Sequence, residues 1–116
     1  MCVYLVGRPP EILEPLLDME VVAPEEAHLE FDVDLGDPQA ALHWFKDDKE
    51  LRAGKKHDIG YQDEVAALVV KDTTAKDAGW YRCEAANRLG RVETHCTLVV
   101  QSKASCLILF LTVTML

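Results

Sequence analysis

The side chains best equipped for chemistry are four histidines and four cysteines, Cys2, Cys83, Cys96 and Cys106, and what such residues do together is bind metal, zinc above all. His95-Cys96 is the tempting pair. Adjacent residues of a strand point to opposite faces, so these two cannot aim at one ion. No C-x-x-C accompanies them, and His95 with His43 on a shared face supplies two ligands without a third. No metal site is expected. The carboxylates Glu25, Glu26, Glu30, Asp32, Asp34 and Asp37 raise the question of calcium. Carboxylates that alternate along a strand splay apart, and the EF-hand spacing is absent, so a solvated acidic face is the expectation. Catalysis finds no signature: G-x-S-x-G, H-E-x-x-H and the P-loop are missing, and Gly54-Lys55-Lys56 lacks the glycine-rich loop that a phosphate cradle needs. We expect no catalytic residue, no cofactor and no small-molecule substrate.

The elements that carry these residues read as strands. Ala27, Leu29, Phe31 and Val33 alternate with His28, Glu30, Asp32 and Asp34, the period of a half-buried strand. After the Gly36-Asp37-Pro38 breaker, Leu42 to Phe45 forms a second strand with Leu42 and Trp44 inward, closed by Asp47-Asp48. Val65 to Val70 is a third, with Leu68 and Val70 on one face. Trp80 to Ala86 puts Tyr81, Cys83 and Ala85 together, and beyond the Asn87 to Gly90 hairpin turn a last strand sends Cys96, Leu98 and Val100 inward. Weaker strands are expected at Ile12 to Leu13, Met19 to Val22, Glu50 to Arg52 and His57 to Tyr61. Pro15, between the first two, cannot donate to a ladder and places them at an edge. Short strands between frequent turns predict an all-β sandwich.

With a loop of Arg88 and Leu89, Cys96 falls opposite Tyr81 and Cys83 opposite Thr94, so Cys83 and Cys96 are diagonal neighbours about 7 to 8 Å apart. A disulfide needs Cα atoms about 4.4 to 6.8 Å apart. Two buried thiols are therefore expected.

The chain has 116 residues, 49% of them apolar and 28% charged, enough for one globular domain. Its net charge of −8 is the wrong sign for nucleic acid or an anionic membrane. The acid is uneven: residues 1–37 hold ten carboxylates and one base, Arg8, whereas the remainder holds ten acids and eleven bases. The opening residues lack a basic n-region, so no signal peptide is expected. Cys106 to Leu116 is apolar but about half the length of a membrane span.

Three features together resemble one family: Trp44 in a middle strand, Asp77-Ala78-Gly79-Trp80-Tyr81-Arg82-Cys83, and Ala86-Asn87-Arg88-Leu89-Gly90 before the last strand. The pattern D-x-G-x-Y-x-C with its tyrosine corner is similar to that of immunoglobulin domains of the I set. Trp44 to Leu51 and Ala67 to Asp72 extend the likeness over about nine tenths of the chain. The resemblance implies a two-sheet Greek-key sandwich over residues 9–101, an N-terminal extension 1–8, and an apolar tail 102–116 outside the domain. It also implies A and A′ strands on either side of Pro15.

One departure is informative. Where the family carries the first cysteine of its inter-sheet bridge, this chain has Phe31. The bridge is expected to be absent, with Phe31 packed on Trp44 and Cys83 in a core that includes Leu68 and Tyr81. That suits a reducing compartment, and intracellular I-set domains are those of muscle and cytoskeletal scaffolds, the titin, myomesin and obscurin group. The resemblance thus implies a non-catalytic interaction or spacer module, cytoplasmic and cytoskeletal or sarcomeric, with other proteins as partners, another Ig-like module among them. The rival is a cell-surface recognition domain. Candidate contact residues are Ile12, Leu13, Glu14 and Val21 on the edge and His43, Phe45, Arg82 and His95 on an exposed sheet face.

Overall fold

The computed structural model describes residues 7–101; Cys2, Cys106 and the apolar tail lie outside these described residues. The strands are β1 (Glu11–Glu14), β2 (Met19–Val22), β3 (Ala27–Asp34), β4 (Ala41–Lys46), β5 (Lys49–Leu51), β6 (His57–Gln62), β7 (Val65–Val70), β8 (Gly79–Asn87) and β9 (Gly90–Gln101), with a 3-10 turn, Ala75–Asp77, before β8. They form two sheets, ordered β1-β3-β7-β6 and β2-β9-β8-β4-β5. All pairings are antiparallel except β2 with β9, which run parallel.

Alternation decides what lies between the sheets. From β3 come Leu29, Phe31 and Val33, from β7 Ala66, Leu68 and Val70, and from the facing sheet Trp44, Tyr81, Cys83, Ala85, Cys96 and Leu98, all buried. The Phe31 ring meets Trp44 edge-on, centroids 5.8 Å apart, a favoured aromatic geometry. Phe31 thus fills with ring surface the region where the family places a bridge. The Trp44 indole N–H is buried without a hydrogen-bond partner among the described residues, a desolvation cost that the surrounding apolar contact must exceed.

Polar bolts close the two ends. The Tyr81 hydroxyl donates to the Asp77 carbonyl at 2.6 Å, the tyrosine corner that the motif implies. Asp77 also accepts from the Thr74 N–H at 2.8 Å and pairs with the Lys56 ammonium at 2.7 Å. At the opposite end, the Asn87 amide donates to the carbonyls of Leu35 and Arg8, at 2.8 and 2.6 Å, while its oxygen accepts from the Leu89 and Gly90 N–H groups. Arg8 donates its own N–H to Gly36 and its guanidinium to Asp34. Gly36 has φ +71, and a Cβ there would lie 2.2 Å from the Arg8 carbonyl oxygen, so the strap at Arg8 requires glycine. Arg8, expected in the N-terminal extension, is bonded into the sandwich.

Candidate interaction surfaces

The acidic N-terminal segment supplies an edge to each sheet. β1 borders the four-stranded sheet and β2 the five-stranded one, because the chain crosses between them at the Pro15 break. Ile12 lies opposite Val33, and the register slips between Ile12 and Glu14; a bulge of this kind twists an edge and limits indiscriminate pairing. Ile12 and Val21 pack against the core. Of the residues expected to meet a partner there, these two hold the edge in place and offer backbone, whereas Leu13, 44% exposed, and Glu14 offer side chains.

His43, Phe45, Arg82 and His95 do share one outer face, that of the five-stranded sheet, with Phe45 opposite Arg82 and Arg82 opposite His95. The face is tied to itself. The Arg82 guanidinium lies 4.1 Å from the Phe45 ring centroid, a cation–π contact, and 3.3 Å from the Glu93 carboxylate. Glu84 forms ion pairs with both Arg82 and Arg91, at 3.7 and 3.5 Å. Phe45, expected as a contact residue on an exposed sheet face, is half-buried beneath that arginine. His43 pairs with Glu50 at 3.0 Å, and His95 meets Trp80 edge-on at 4.8 Å, so the two histidines have separate partners. Trp80 is 45% exposed and was not among the expected contact residues. The alternation that buries Tyr81 puts its neighbour outside, which is the signal that could have found it.

The acidic N-terminal third is only partly unpaired: Asp34 pairs with Arg8 at 2.6 Å and Asp37 with Arg88 at 2.8 Å. Hydrogen bonds from Arg8 and the Gly36 N–H hold the Asp34 carboxyl below its usual range; the Gln39 N–H and Arg88 do the same for Asp37. Cys83 and Cys96 are free and buried. They lie opposite Thr94 and Tyr81, the expected diagonal register. Burial raises both thiol pKa values, that of Cys96 to about 11.

The family model for the immunoglobulin I-set domain matches residues 10–100. The chain belongs to the I-set immunoglobulin family. This I-set domain is 32% identical over 105 residues to titin of Drosophila melanogaster, a match over 86% of the chain. It is 37% identical over 93 residues to the muscle M-line assembly protein unc-89 of Caenorhabditis elegans, over 79% of the chain. In each case it spans 1% of the relative's own length. It is also 40% identical over 96 residues to human Roundabout homolog 2, covering 82% of the chain and 6% of that protein. Among solved structures, the complex of titin M10 with a mutant obscurin-like 1 Ig superposes with a TM-score of 0.77 at 27% identity, covering 83% of this chain and 96% of that one. The I67–I69 fragment of titin gives 0.77 at 27% identity, covering 82% and 33%. The I-set sandwich is thus shared with titin and with the muscle M-line assembly protein unc-89.

Proposed function

We propose that this I-set domain is a non-catalytic docking and spacer module of a cytoskeletal or sarcomeric scaffold, binding partner proteins, other Ig-like modules among them, by strand addition at its N-terminal edge. The observation that carries the reading is the crossing at Pro15, through which one short acidic segment borders both sheets. Unpaired backbone on an edge strand can be extended by a partner's strand, while side chains beside it supply specificity. Glu11, Glu14, Asp18 and Glu20 along this segment favour a basic partner surface and speed the encounter. Cytoplasmic residence belongs to the same reading, supported by Phe31 at the bridge position and by the free thiols of Cys83 and Cys96.

The experiment is capture from muscle lysate, identification of the partner, and binding kinetics against it. The on-rate should fall as salt rises, since exposed charges are screened beyond about 8 Å at physiological ionic strength. A proline scan across residues 11–14, restricted to variants with unchanged melting, should speed dissociation. An on-rate indifferent to salt together with an inert proline scan would overturn the edge.

A further inference from the structure

The outer face of the four-stranded sheet carries a feature that meets the proposed edge only at one end. Val65, Ala67 and Val69 alternate with the buried Ala66, Leu68 and Val70 and so point outward, half-buried. Beside them Gly60 pairs with Ala67, and a Cβ built on Gly60 would meet nothing within 4 Å. These small residues make the floor of a groove. Three shallow hollows run into one another here: one over Asp58, Gly60 and Val69, a larger one of about 580 Å³ over Gly60, Asp63 and Glu30, and a third from Glu30 and Asp32 to Pro15 and Leu17. The first two share Gly60 and Ala67, and the last two share Glu30 and Val65. The hollows adjoin one another along the sheet, and the last opens at the side of the sandwich, where Asp18 and Met19 line it beside Leu17, which is 76% exposed.

The walls are acidic. Glu14, Glu30, Asp32 and Asp63 line the hollows, and none of them has an ion pair among the described residues. Asp58 meets Lys71 only at 4.0 Å. The one basic side chain in the lining, His28, faces Glu26 at 3.4 Å. An apolar floor between uncompensated carboxylates matches the amphipathic build of lysine and arginine, whose methylene stems cover apolar surface while their charged heads stay at the rim. Glu30 and Asp32 are two residues apart on one strand, hence about 7 Å apart, the repeat of alternate side chains in an extended chain. We infer that this groove is a docking site for an extended basic protein segment in which Lys or Arg alternates with small apolar residues. The surface abuts the β1–β2 edge at one end, where Glu14 to Met19 line it, and is separate from the paired face of the other sheet.

The test uses the full chain, isotope-labelled, titrated by NMR with a synthetic peptide alternating lysine with alanine and valine, at about 0.15 M salt, where long-range attraction is screened. Saturable shifts should centre on the amides of Gly60, Val65, Ala67 and Val69. Gly60→Lys, which the open space around Gly60 accommodates, should weaken binding by about tenfold or more, because it sets a like charge against the peptide's own. Ala41→Lys makes the same change in net charge on the exposed start of β4 in the other sheet and should leave affinity within about twofold, as expected of a remote and independent site. Shifts scattered over the carboxylates of both sheets, shifts confined to β1 and β2, no saturation, or equal weakening by Gly60→Lys and Ala41→Lys would each overturn the groove.

Discussion

The two outer faces of this sandwich rest on one core and solve the problem of surface charge in opposite ways. On the five-stranded sheet, Arg82 and Arg91 converge on Glu84, Arg82 also lies on Phe45, and His43 pairs with Glu50. On the four-stranded sheet, Glu30 and Asp32 stand over valine, alanine and glycine with no ion pair among the described residues. A face whose charges already have partners must break those contacts before it can make others, whereas carboxylates without partners gain from the first cation that arrives. Exposed aromatic and basic residues are therefore not by themselves the better advertisement for a binding surface.

Removing the shared support should produce the largest effect. Trp44→Ala should cost about 3 to 5 kcal/mol, and Phe31→Ala nearly as much. The outward neighbour Glu30→Ala should stay within about 0.5 kcal/mol of the parent. Denaturant melts check all three, and equal losses at Phe31 and Glu30 would break the division between inner and outer faces. The same division protects the thiols: with its pKa raised from 9.0 to about 11, Cys96 holds about a hundredfold less thiolate at pH 8. Alkylation followed by intact mass should leave Cys83 and Cys96 unmodified until denaturant is added.

Next in size are the polar bolts between the faces. Tyr81→Phe leaves the Asp77 carbonyl without its hydroxyl donor and should cost about 1 to 3 kcal/mol. Burial raises the pKa of Asp77, but the Lys56 ammonium and the Thr74 N–H and hydroxyl outweigh it and hold the carboxyl below 3.8. A carboxyl depressed in the folded state contributes its full stability above the unfolded value and loses it as pH falls through the folded one. Lys56→Met should therefore destabilise near neutrality, and its deficit against the parent should shrink as pH drops below about 4. A deficit that grows with acid would remove Asp77 as its cause.

The smallest effects bear most directly on the comparison. Glu84→Gln weakens contacts to two arginines and should destabilise by about 0.5 to 1 kcal/mol, whereas Glu30→Gln, which loses no ion pair, should be neutral or stabilising by a few tenths. Paired thermal melts at low salt would measure both. The reverse ranking would mean that the two faces do not differ as described.

Much of this architecture was legible in the chain. The alternation from Ala27 to Asp34 and from Trp80 to Ala86 specified which side chains would be buried, because a period of two admits one choice of face once one side is apolar. The Asn87 to Gly90 turn fixed the Cys83 and Cys96 register. The exposed Trp80 was hidden inside a motif whose Tyr81 and Cys83 drew the reading inward. Ile12 and Val21 lie on edges, as their place on either side of Pro15 implies, but their packing against the core follows from where each sheet places its edge. The groove was the least legible, since Gly60, Ala67 and Val65 are unremarkable singly and become a floor only when β6 lies beside β7.

The amino-acid order alone specified the strands, the buried set, the tyrosine corner and the absence of a cysteine opposite Cys83. These follow from local alternation, turn chemistry and residue identity, which act over a few positions. It takes the assembled fold to run β2 parallel to β9, to strap Arg8 beneath Asn87, to engage Arg82 with Glu84, Glu93 and Phe45, and to set Glu30 and Asp32 over an open groove. Each of those depends on which distant segments become neighbours. That outcome is set by the packing of two whole sheets on one core, and no short stretch of chain encodes it.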